Sequence, residues 1–394
     1  MRLSVLSHSC VVDTNQQLFA ALEAQGVVLQ LIVPEAWRDD LSGQVLRPGR
    51  WDGLHAMVQP VPVRGSGSVP LHTYRTDLRR WLYLFQPDVV YCENESYALS
   101  TFQAALANRL SVRRPFLFRN NQNLAKHLPW PFRQAERFVL GQAACANLIN
   151  AEAGQVLRAK GYRGRMAYMP YGLDPDLHQP LEAGDLRAAW GSPSFAFGYV
   201  GRLVEEKGLR VLLDAFARLH PESDATLVVL GDGPLRDELQ RRLAAPPLAG
   251  RVRWLPVVPH REVPRYLSAL DALVLPSLTR PGWKEQFGRV IIEAAACGTP
   301  VIGSDSGEIP HLIGRVGGGL VVPEGQAEPL ARAMAQLQTD PELVLRLRER
   351  GRREVVQQFA HEALAYRFRQ LLESLVASQG AGPDEGLPGW LGDA

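Results

Sequence analysis

The chain has 394 residues, of which 46% are hydrophobic and 21% are charged. This composition is typical of globular proteins and excludes a largely disordered, collagenous or low-complexity chain. The length exceeds the roughly 250–300 residues at which one hydrophobic core usually divides, so we expect two domains. A formal net charge of +2 gives no indication of nucleic-acid binding.

The cysteines and the apolar segments indicate where the protein works. Four cysteines without a CxxC pair indicate a reducing compartment. The first residues lack the apolar stretch of a signal peptide, and no apolar run approaches the ~18 residues of a transmembrane helix. We therefore expect a cytoplasmic protein, with any membrane contact peripheral and at the inner face. The basic and aromatic segment 125–140 is compatible with such contact, but packing within the N-terminal domain is the favoured interpretation.

Short apolar segments alternate with amphipathic ones in the first half of the chain. The predicted strands are Arg2–Leu6, Val27–Val33, Val89–Cys92, Pro115–Phe118, Ala146–Ile149 and Met166–Met169. The predicted helices are Asn15–Gln25, Leu71–Phe85 and Tyr97–Leu110. Strands separated by helices indicate a parallel sheet that binds ligands at the C-terminal ends of its strands. We predict a Rossmann-like domain over residues 1–170.

The same pattern restarts after a predicted linker at 171–193. The predicted strands are Phe195–Tyr199, Thr226–Leu230, Val252–Trp254, Ala272–Leu275, Val301–Gly303 and Leu320–Val322. The predicted helices are Gly208–Leu219, Leu235–Leu243, Val263–Leu270, Arg289–Ala296 and Pro329–Leu337. This pattern predicts a second Rossmann-like domain over 194–360 and a helix over 361–378 that packs back toward the first domain. The Gly- and Pro-rich residues 379–394 are predicted to form a flexible tail.

The segment VGRLVEEKG, residues 200–208, combines a strand end, a glycine turn, two cations and a helix start. Arg202, Lys207 and the free N–H groups of the helix that begins at Gly208 would surround one anion. A diphosphate suits this arrangement, because arginine binds two oxygens at once and lysine supplies a compact charge. The alternative is a surface turn. GDGP, residues 231–234, is likewise either a nucleotide-lining loop or a plain turn.

Two glutamates in the segment 276–313 form the most specific pattern in the chain. Glu285 lies in a glycine-containing loop, and Glu293 lies in an apolar predicted helix. A carboxylate in such surroundings is costly unless it is paired. Ligand hydroxyls are natural partners, because an ionised carboxylate only accepts hydrogen bonds. An internal salt bridge with an arginine is the alternative for Glu293.

In this order and spacing the segments resemble the retaining glycosyltransferases of family 4. The matching motifs are VGRLVEEKG (200–208), LGDGP (230–234), Pro276-Ser277, Glu285 followed at the family's spacing by Glu293, and ACGTPVIGSDSGEIPHLI (296–313), with a looser match at MPYGLD (169–174). The resemblance implies the α/β fold called GT-B, in which two doubly wound Rossmann-like domains face each other across a cleft and are followed by C-terminal helices. It implies that the N-terminal domain binds the acceptor and the C-terminal domain a nucleotide-sugar.

The resemblance also implies roles for individual residues. It assigns catalysis to Arg202, Lys207 and Glu285, and donor binding to Gly201, Gln286, Phe287, Gly288 and Glu293. Arg202 and Lys207 would hold the diphosphate, Glu285 the donor sugar, Glu293 the ribose, and residues 257–260 would lie by the base. Lys284 is a weaker candidate for phosphate or acceptor binding. The expected donor is a UDP- or GDP-sugar, the acceptor a carbohydrate, glycolipid or small-molecule hydroxyl in polysaccharide biosynthesis, with no metal and no cofactor.

The N-terminal half departs from this family in two loops. The loop HSCVVDTNQ (8–16) lacks the usual Gly-Gly pair, so His8, Ser9 and Asn15 would have to replace backbone contacts with side chains. RNNQN (119–123) stands where relatives often have a histidine. Asn121 and Gln122 are candidates for sugar binding, but neither is a base at neutral pH. His127 is a further candidate.

Three other classes of protein are alternatives to a transferase. A nucleotide-sugar epimerase needs a pair of acid and base residues that the sequence does not display. A catalytically silent nucleotide-sugar-binding protein is compatible with the altered N-terminal loops. A dinucleotide-dependent dehydrogenase is disfavoured, because no GxGxxG motif follows the first strand of either half.

Overall fold

The computed structural model describes residues 1–39, 43–191, 194–220 and 223–378. The chain forms two compact units, the first from Met1–Gly172 together with the segment that begins at His361, and the second from Leu173–Ala360. The first boundary therefore falls inside MPYGLD (169–174). The flexible tail predicted at 379–394 lies outside the described residues.

The first unit is built on a parallel sheet. Its strands are β1 (Arg2–Leu6), β2 (Val28–Pro34), β3 (Trp37–Arg38), β4 (Val45–Leu46), β5 (Met57–Val61), β6 (Val63–Arg64), β7 (Thr73–Tyr74), β8 (Val89–Cys92), β9 (Phe116–Asn120), β10 (Ala143–Leu148) and β11 (Arg165–Tyr168). The sheet order is β11-β10-β9-β8-β1-β2-β5, while β3-β4 and β6-β7 form small antiparallel pairs. The strand order reverses between β1 and β8, where such sheets bind ligands.

The helices of this part are α1 (Gln17–Ala24), α2 (Leu78–Phe85), α3 (Leu99–Leu110), α4 (Trp130–Gln142) and α5 (Ala151–Ala159). The prediction of a helix from Leu71 was wrong, because α2 begins only at Leu78. The Asp77 side chain accepts a hydrogen bond from the Arg79 N–H and caps the helix there. Residues upstream of this cap pair as β7 with β6. The edge strand β5 was not predicted, because only its last residue, Val61, is buried.

The second unit has a parallel sheet with the strand order 3-2-1-4-5-6 of dinucleotide-binding folds. Its strands are β12 (Phe195–Val200), β13 (Ala225–Leu230), β14 (Val252–Leu255), β15 (Ala272–Leu275), β16 (Val301–Ser304) and β17 (Gly319–Val322). The sheet order is β14-β13-β12-β15-β16-β17. Its switch point lies between β12 and β15, so the loops after these two strands are the expected ligand-binding loops.

The helices that accompany this sheet are α6 (Gly184–Ala189), α7 (Leu209–Phe216), α8 (Arg236–Leu243), α9 (Val263–Ser268), α10 (Arg289–Ala296), α11 (Ile309–Val316), α12 (Ala327–Thr339) and α13 (Pro341–Phe359). Phe197 of β12, Phe216 of α7 and Met334 of α12 are fully buried together in one core. All six residues of β13 are buried, as expected for an inner strand of a parallel sheet. The predicted α/β fold is therefore confirmed.

The last helix, α14 (His361–Ala377), belongs to the first unit. Phe368 is buried, and its ring meets Tyr91 of β8 edge to face with 5.4 Å between ring centroids. Arg369 also donates a hydrogen bond of 2.8 Å to the backbone carbonyl of Gln25, at the end of α1. Neither α14 nor any other helix among the described residues has the length and hydropathy needed to span a bilayer.

We expect Phe368→Ala to lower the free energy of unfolding of the first unit by about 3–5 kcal/mol, because it removes a buried ring and leaves a cavity. Tyr366→Ala in the same helix is the matched control, since Tyr366 is 58% exposed. Such surface substitutions usually change stability by less than about 0.5 kcal/mol. Urea unfolding of the full chain, followed by circular dichroism, measures both variants. Equal effects would contradict the packing of α14 on this unit.

Candidate active site

Two glycine-containing loops of the second unit bind each other at the ends of β12 and β13. The Leu203 N–H donates to the Asp232 carbonyl at 2.9 Å. A Cβ atom at Gly231 would collide with the Gly201 carbonyl oxygen. The GDGP turn therefore has a structural reason for its glycine at 231, because only a residue without a side chain allows this approach. The turn supports the loop that carries Arg202.

A second close approach joins the two loops at the switch point. Gly208 caps α7 with a φ of +68°, and a Cβ atom there would collide with the Pro276 carbonyl oxygen. The Leu278 N–H also donates to the Glu206 carbonyl at 2.8 Å. The start of α7 is thereby fixed against the loop after β15. The sequence prediction that a helix begins next to a strand end at this edge is confirmed.

Lys207 and Glu285 form a buried ion pair across these loops. The Lys207 Nζ lies 2.5 Å from the Glu285 Oε2, and the two side chains are only 16% and 9% exposed. The Ser277 hydroxyl donates to the same oxygen at 3.0 Å, and the Lys207 ammonium lies 5.2 Å from the centre of the Trp283 ring. The family resemblance gives these two residues separate ligand groups, whereas the structure brings their side chains together. Each holds the other in position.

Arg202 has a more accessible side chain, which is 50% exposed. Its backbone carbonyl accepts a hydrogen bond of 2.6 Å from the buried Tyr199 hydroxyl. Its guanidinium lies 3.9 Å from the Glu206 carboxylate, a loose contact. The backbone at Arg202 is therefore fixed while the cationic end of the side chain can still meet a ligand.

Glu293 is buried in α10, and both of its described contacts engage Oε1. The Arg289 Nε lies 3.2 Å from this oxygen, and the His260 Nε2 lies 3.4 Å from it. Burial alone would raise the pKa of Glu293, but the hydrogen bond from His260 and the charge of Arg289 hold that pKa below its ordinary value. The carboxylate therefore stays ionised. The salt bridge with an arginine is present, and Oε2 is the oxygen left to accept from a ligand.

Two histidines beside Glu293 were missed by the sequence analysis. His178 and His260 have ring centroids 5.9 Å apart, and burial lowers the pKa of His178. His178 lies in an irregular segment and His260 in a short turn before α9, so neither belongs to a periodic pattern. His260 belongs to residues 257–260, for which the family resemblance implies only a position beside the base.

The other residues predicted to bind the donor surround the start of α10. Gly288 caps this helix with a φ of +78°. Phe287 is buried, and its ring centroid lies 6.4 Å from that of Phe359. Gln286 is exposed and Lys284 is half-buried. Phe287 thus anchors the loop, while the side chain of Gln286 faces solvent.

The switch point of the first unit is occupied by a polar network around Glu93, at the end of β8. The Ser7 and Ser9 hydroxyls donate to the Glu93 Oε2 at 2.7 and 3.1 Å. The Arg119 guanidinium binds the Glu93 Oε1 at 3.0 Å. Glu93 directly follows the predicted strand Val89–Cys92, but nothing in the sequence connects it with the loop after β1.

The side chains predicted to replace the Gly-Gly pair make contacts within this unit. The Asn15 Nδ2 donates to the Ser9 carbonyl at 2.9 Å. The His8 ring lies 4.9 Å from that of Trp37. Burial, with a smaller contribution from His72, lowers the pKa of His8 to about 3. His8 is therefore neutral at physiological pH, and Asn15 fixes the loop backbone.

The candidates after β9 differ in their surroundings. The Asn121 Oδ1 accepts from the Arg119 Nε at 3.2 Å, and its Nδ2 donates to the Tyr171 hydroxyl at 3.2 Å. The Gln122 Oε1 accepts from the Lys160 ammonium at 2.9 Å. His127 is exposed. The two amides are thus engaged within the unit, whereas the imidazole faces solvent.

Two buried carboxylates, Glu95 and Glu136, lie beside these amides. The Glu95 Oε1 accepts from the Asn121 N–H at 3.0 Å, and burial raises the pKa of Glu95 to about 7. Glu136 pairs with Lys160 at 2.7 Å. Lys160 is one of only four lysines in the chain, and this scarcity was the signal that could have pointed to a special environment.

Comparison with known proteins gives two family matches that follow the two halves of the chain. The model described as glycosyl transferases group 1 matches residues 187–354, and the model described as glycosyl transferase 4-like domain matches residues 11–172. Together they span most of the chain. Each matched range corresponds closely to one of the two Rossmann-like domains predicted from the sequence.

Two curated relatives show how far sequence similarity extends. The 2-deoxystreptamine glucosyltransferase of Streptomyces kanamyceticus is 28% identical over 313 residues, which is 77% of each chain. The lipopolysaccharide core biosynthesis glycosyltransferase LpsE of Rhizobium meliloti is 39% identical over 176 residues, 44% of this chain and 48% of the relative. The second alignment thus spans only about half of that relative.

Solved structures share the fold. Sucrose-phosphate synthase from Thermosynechococcus elongatus superimposes with a TM-score of 0.71 at 22% identity, covering 96% of this chain and all of that one. Anabaena HepE, solved in complex with UDP, gives 0.71 at 19% identity, with 95% of this chain and all of that one covered. The family matches, the relatives and the fold agree with the resemblance carried by the motifs. The chain therefore belongs to the group 1 and 4-like glycosyltransferases, and it has the GT-B fold.

Proposed function

We propose that this glycosyltransferase moves a sugar from a UDP- or GDP-sugar to a hydroxyl acceptor, with retention of the anomeric configuration and without a metal. The observation that carries the proposal is the position of Arg202, the Lys207–Glu285 pair and Glu293 around the switch point of the second unit. HepE was solved with UDP, and a relative from Mycobacterium tuberculosis is named as GDP-mannose-dependent. The first name supports uridine as the base of the donor, and the second supports guanosine.

The proposed donor contacts follow from the charges at this site. Arg202 and Lys207 bind the diphosphate, because the loop after β12 offers both an accessible guanidinium and a fixed ammonium. Glu293 accepts the ribose hydroxyls through Oε2, since its other oxygen is already bonded to Arg289 and His260. Glu285 lies beside Lys207. Because Lys207 binds the diphosphate in this proposal, Glu285 is within reach of the sugar that is attached to the diphosphate.

The proposed transfer breaks the bond between the anomeric carbon and the phosphate oxygen. The electron pair of this bond goes to the departing nucleoside diphosphate, while the sugar becomes oxocarbenium-like. Arg202 and Lys207 stabilise the charge that grows on the phosphate, a role that Mg²⁺ has in other transferases. The acceptor oxygen then bonds to the anomeric carbon from the face that the phosphate leaves, and the phosphate takes the acceptor proton. This front-face route rests on the family resemblance.

For the acceptor we propose a carbohydrate, glycolipid or small-molecule hydroxyl, bound by the first unit. The network of Glu93, Arg119 and Asn121 at the strand ends supplies charged and amide groups that suit hydroxyl-rich ligands. The names of the relatives include both an aminocyclitol and a lipopolysaccharide core. A cytoplasmic setting is supported by the four cysteines, which are all free and buried.

Thermal unfolding in the presence of UDP, GDP, ADP, CDP or NAD tests the donor class. We expect UDP or GDP to raise the melting temperature equally with Mg²⁺ and with a chelator. A ligand at ~100 times its Kd stabilises by about 2.7 kcal/mol, which is measurable. A shift with NAD alone would contradict the proposal, and a shift that requires Mg²⁺ would contradict its metal-independent part.

The phosphate role of Arg202 is tested by Arg202→Ala. Loss of a charge-assisted hydrogen bond of about 1.5–3 kcal/mol should weaken nucleoside diphosphate binding by roughly 10- to 150-fold. Arg218→Ala is the control, because Arg218 is similarly exposed but follows the opposite end of α7 and pairs with Glu328. Isothermal titration calorimetry compares the two variants. Equal affinities in the variants and the wild-type chain would exclude Arg202 as a diphosphate ligand.

Retention is tested once a donor and an acceptor are found. We expect an α-linked donor to give an α-linked product, because attack occurs on the face that the phosphate leaves. Proton NMR of the freshly formed product distinguishes the anomers by the coupling constant of the anomeric proton. A β-linked product from an α-linked donor would contradict front-face transfer.

A further inference from the structure

Three metal-ligating side chains of the second unit converge beside the nucleotide-binding loops. His178, His260 and Glu293 each offer one ligand atom, and these atoms all lie within 4.8 Å of one another. The residues come from three separate segments: one before α6, one before α9 and one within α10. Their convergence is therefore made by the tertiary fold and not by a local turn.

His178 has the hydrogen bonding of a metal ligand. It is only 2% exposed, and its Nδ1 lies 3.1 Å from the Asp174 carbonyl oxygen. Because a carbonyl only accepts, Nδ1 carries the proton and Nε2 has a lone pair. This Nε2 is buried and has no hydrogen-bond partner among the described residues. Metal-binding histidines usually donate their second N–H to a carbonyl or carboxylate in this way.

The spacing of the other two ligands fits a small tetrahedral ion. Zinc binds imidazole nitrogen and carboxylate oxygen at about 2.0–2.2 Å, which places two tetrahedral ligands about 3.4 Å apart. The His260 Nε2 and the Glu293 Oε1 are separated by 3.4 Å. The His260 side chain is 56% exposed, so it has room to adjust to an ion held by its two buried neighbours.

A metal ion at this position must displace the Arg289 guanidinium from the Glu293 carboxylate. Its Nε lies 3.2 Å from the Glu293 Oε1, but its side chain is half-exposed and can turn into water. Two imidazoles and one carboxylate favour Zn²⁺, Co²⁺, Ni²⁺ or Cu²⁺ over Mg²⁺ and Ca²⁺, which prefer oxygen ligands. The ligand chemistry therefore favours a transition-metal ion over Mg²⁺, the ion that usually accompanies nucleotide phosphates.

We propose that His178, His260 and Glu293 bind one divalent transition-metal ion of the zinc class, and that the bound ion blocks the nucleotide-sugar. The ion binds the Glu293 carboxylate at Oε1 and neutralises the negative charge with which Oε2 would accept the ribose hydroxyls. The metal site stands on the geometry of the three side chains, whereas the blocking effect rests on the proposed function. The ion is an inhibitor in this scheme, and transfer itself requires no metal.

Metal binding is tested directly on the full chain after treatment with a chelator. We expect one equivalent of Co²⁺ to bind with visible absorption bands, and Zn²⁺ to displace it. His178→Phe keeps a ring in the buried position and should weaken zinc binding at least tenfold. His260→Ala is a second test at an exposed position, and His311→Ala is the control, because this half-buried histidine of α11 lies outside the cluster.

Two results would overturn the site. One is a wild-type chain that binds neither Co²⁺ nor Zn²⁺ at millimolar concentration. The other is equal zinc affinity in the wild-type chain and in both cluster variants, with folding of each variant verified by circular dichroism.

The blocking effect is tested with UDP and GDP as probes. We expect saturating Zn²⁺ to weaken binding of the preferred nucleotide at least tenfold in the wild-type chain and to have no effect in His178→Phe. That variant also corrects for zinc bound by the nucleotide itself. Zinc binding that leaves nucleotide affinity unchanged would overturn the blocking effect. A chain that binds zinc but neither nucleotide, even without zinc, would count against the proposed function and leave the metal site standing.

Discussion

The ion pair between Lys207 and Glu285 is the interaction on which the arrangement of the candidate site depends. It connects the loop after β12 with the loop after β15 across the switch point, and both groups are almost withdrawn from water. Removing one partner of such a pair leaves an uncompensated buried charge, which typically costs about 3–5 kcal/mol. The two loops are therefore held in place before any ligand arrives. A site fixed in this way loses little conformational entropy when it binds.

The loops at the switch point of the first unit are also held by a largely buried carboxylate, but with different partner residues. Its switch point lies between β1 and β8, and Glu93 there binds two serine hydroxyls and the Arg119 guanidinium. In each unit, a largely buried carboxylate that binds a cation and at least one hydroxyl lies at the point where the strand order reverses. The glycine at 208 serves the same end in the second unit, because it lets the backbone of α7 reach the neighbouring loop.

Much of the fold could be predicted from the sequence, because the inner strands of a parallel sheet are short apolar runs. β1, β8 and β15 have the predicted bounds. The start of α2 could not be predicted, because it is fixed by the Asp77 cap. The strand β5 could not be predicted either, because it forms by pairing at the sheet edge and is mostly not buried. The sequence pattern placed Arg202 and Lys207 at a strand end, and the family resemblance brought Glu285 and Glu293 to the same ligand. The ligand roles of all four stay predictions. The His178–His260 contact could not be foreseen, because it joins distant segments.

The placement of α14 has a consequence for how the chain is made. The first unit needs this helix to cover Tyr91, yet the whole of Leu173–Ala360 is synthesised in between. At ~5–20 residues per second, a ribosome takes roughly 10–40 s over that stretch. The second unit is continuous in sequence and can complete its core during this interval. The first unit meanwhile lacks the helix that covers Tyr91, so the unit whose synthesis begins first completes its core last.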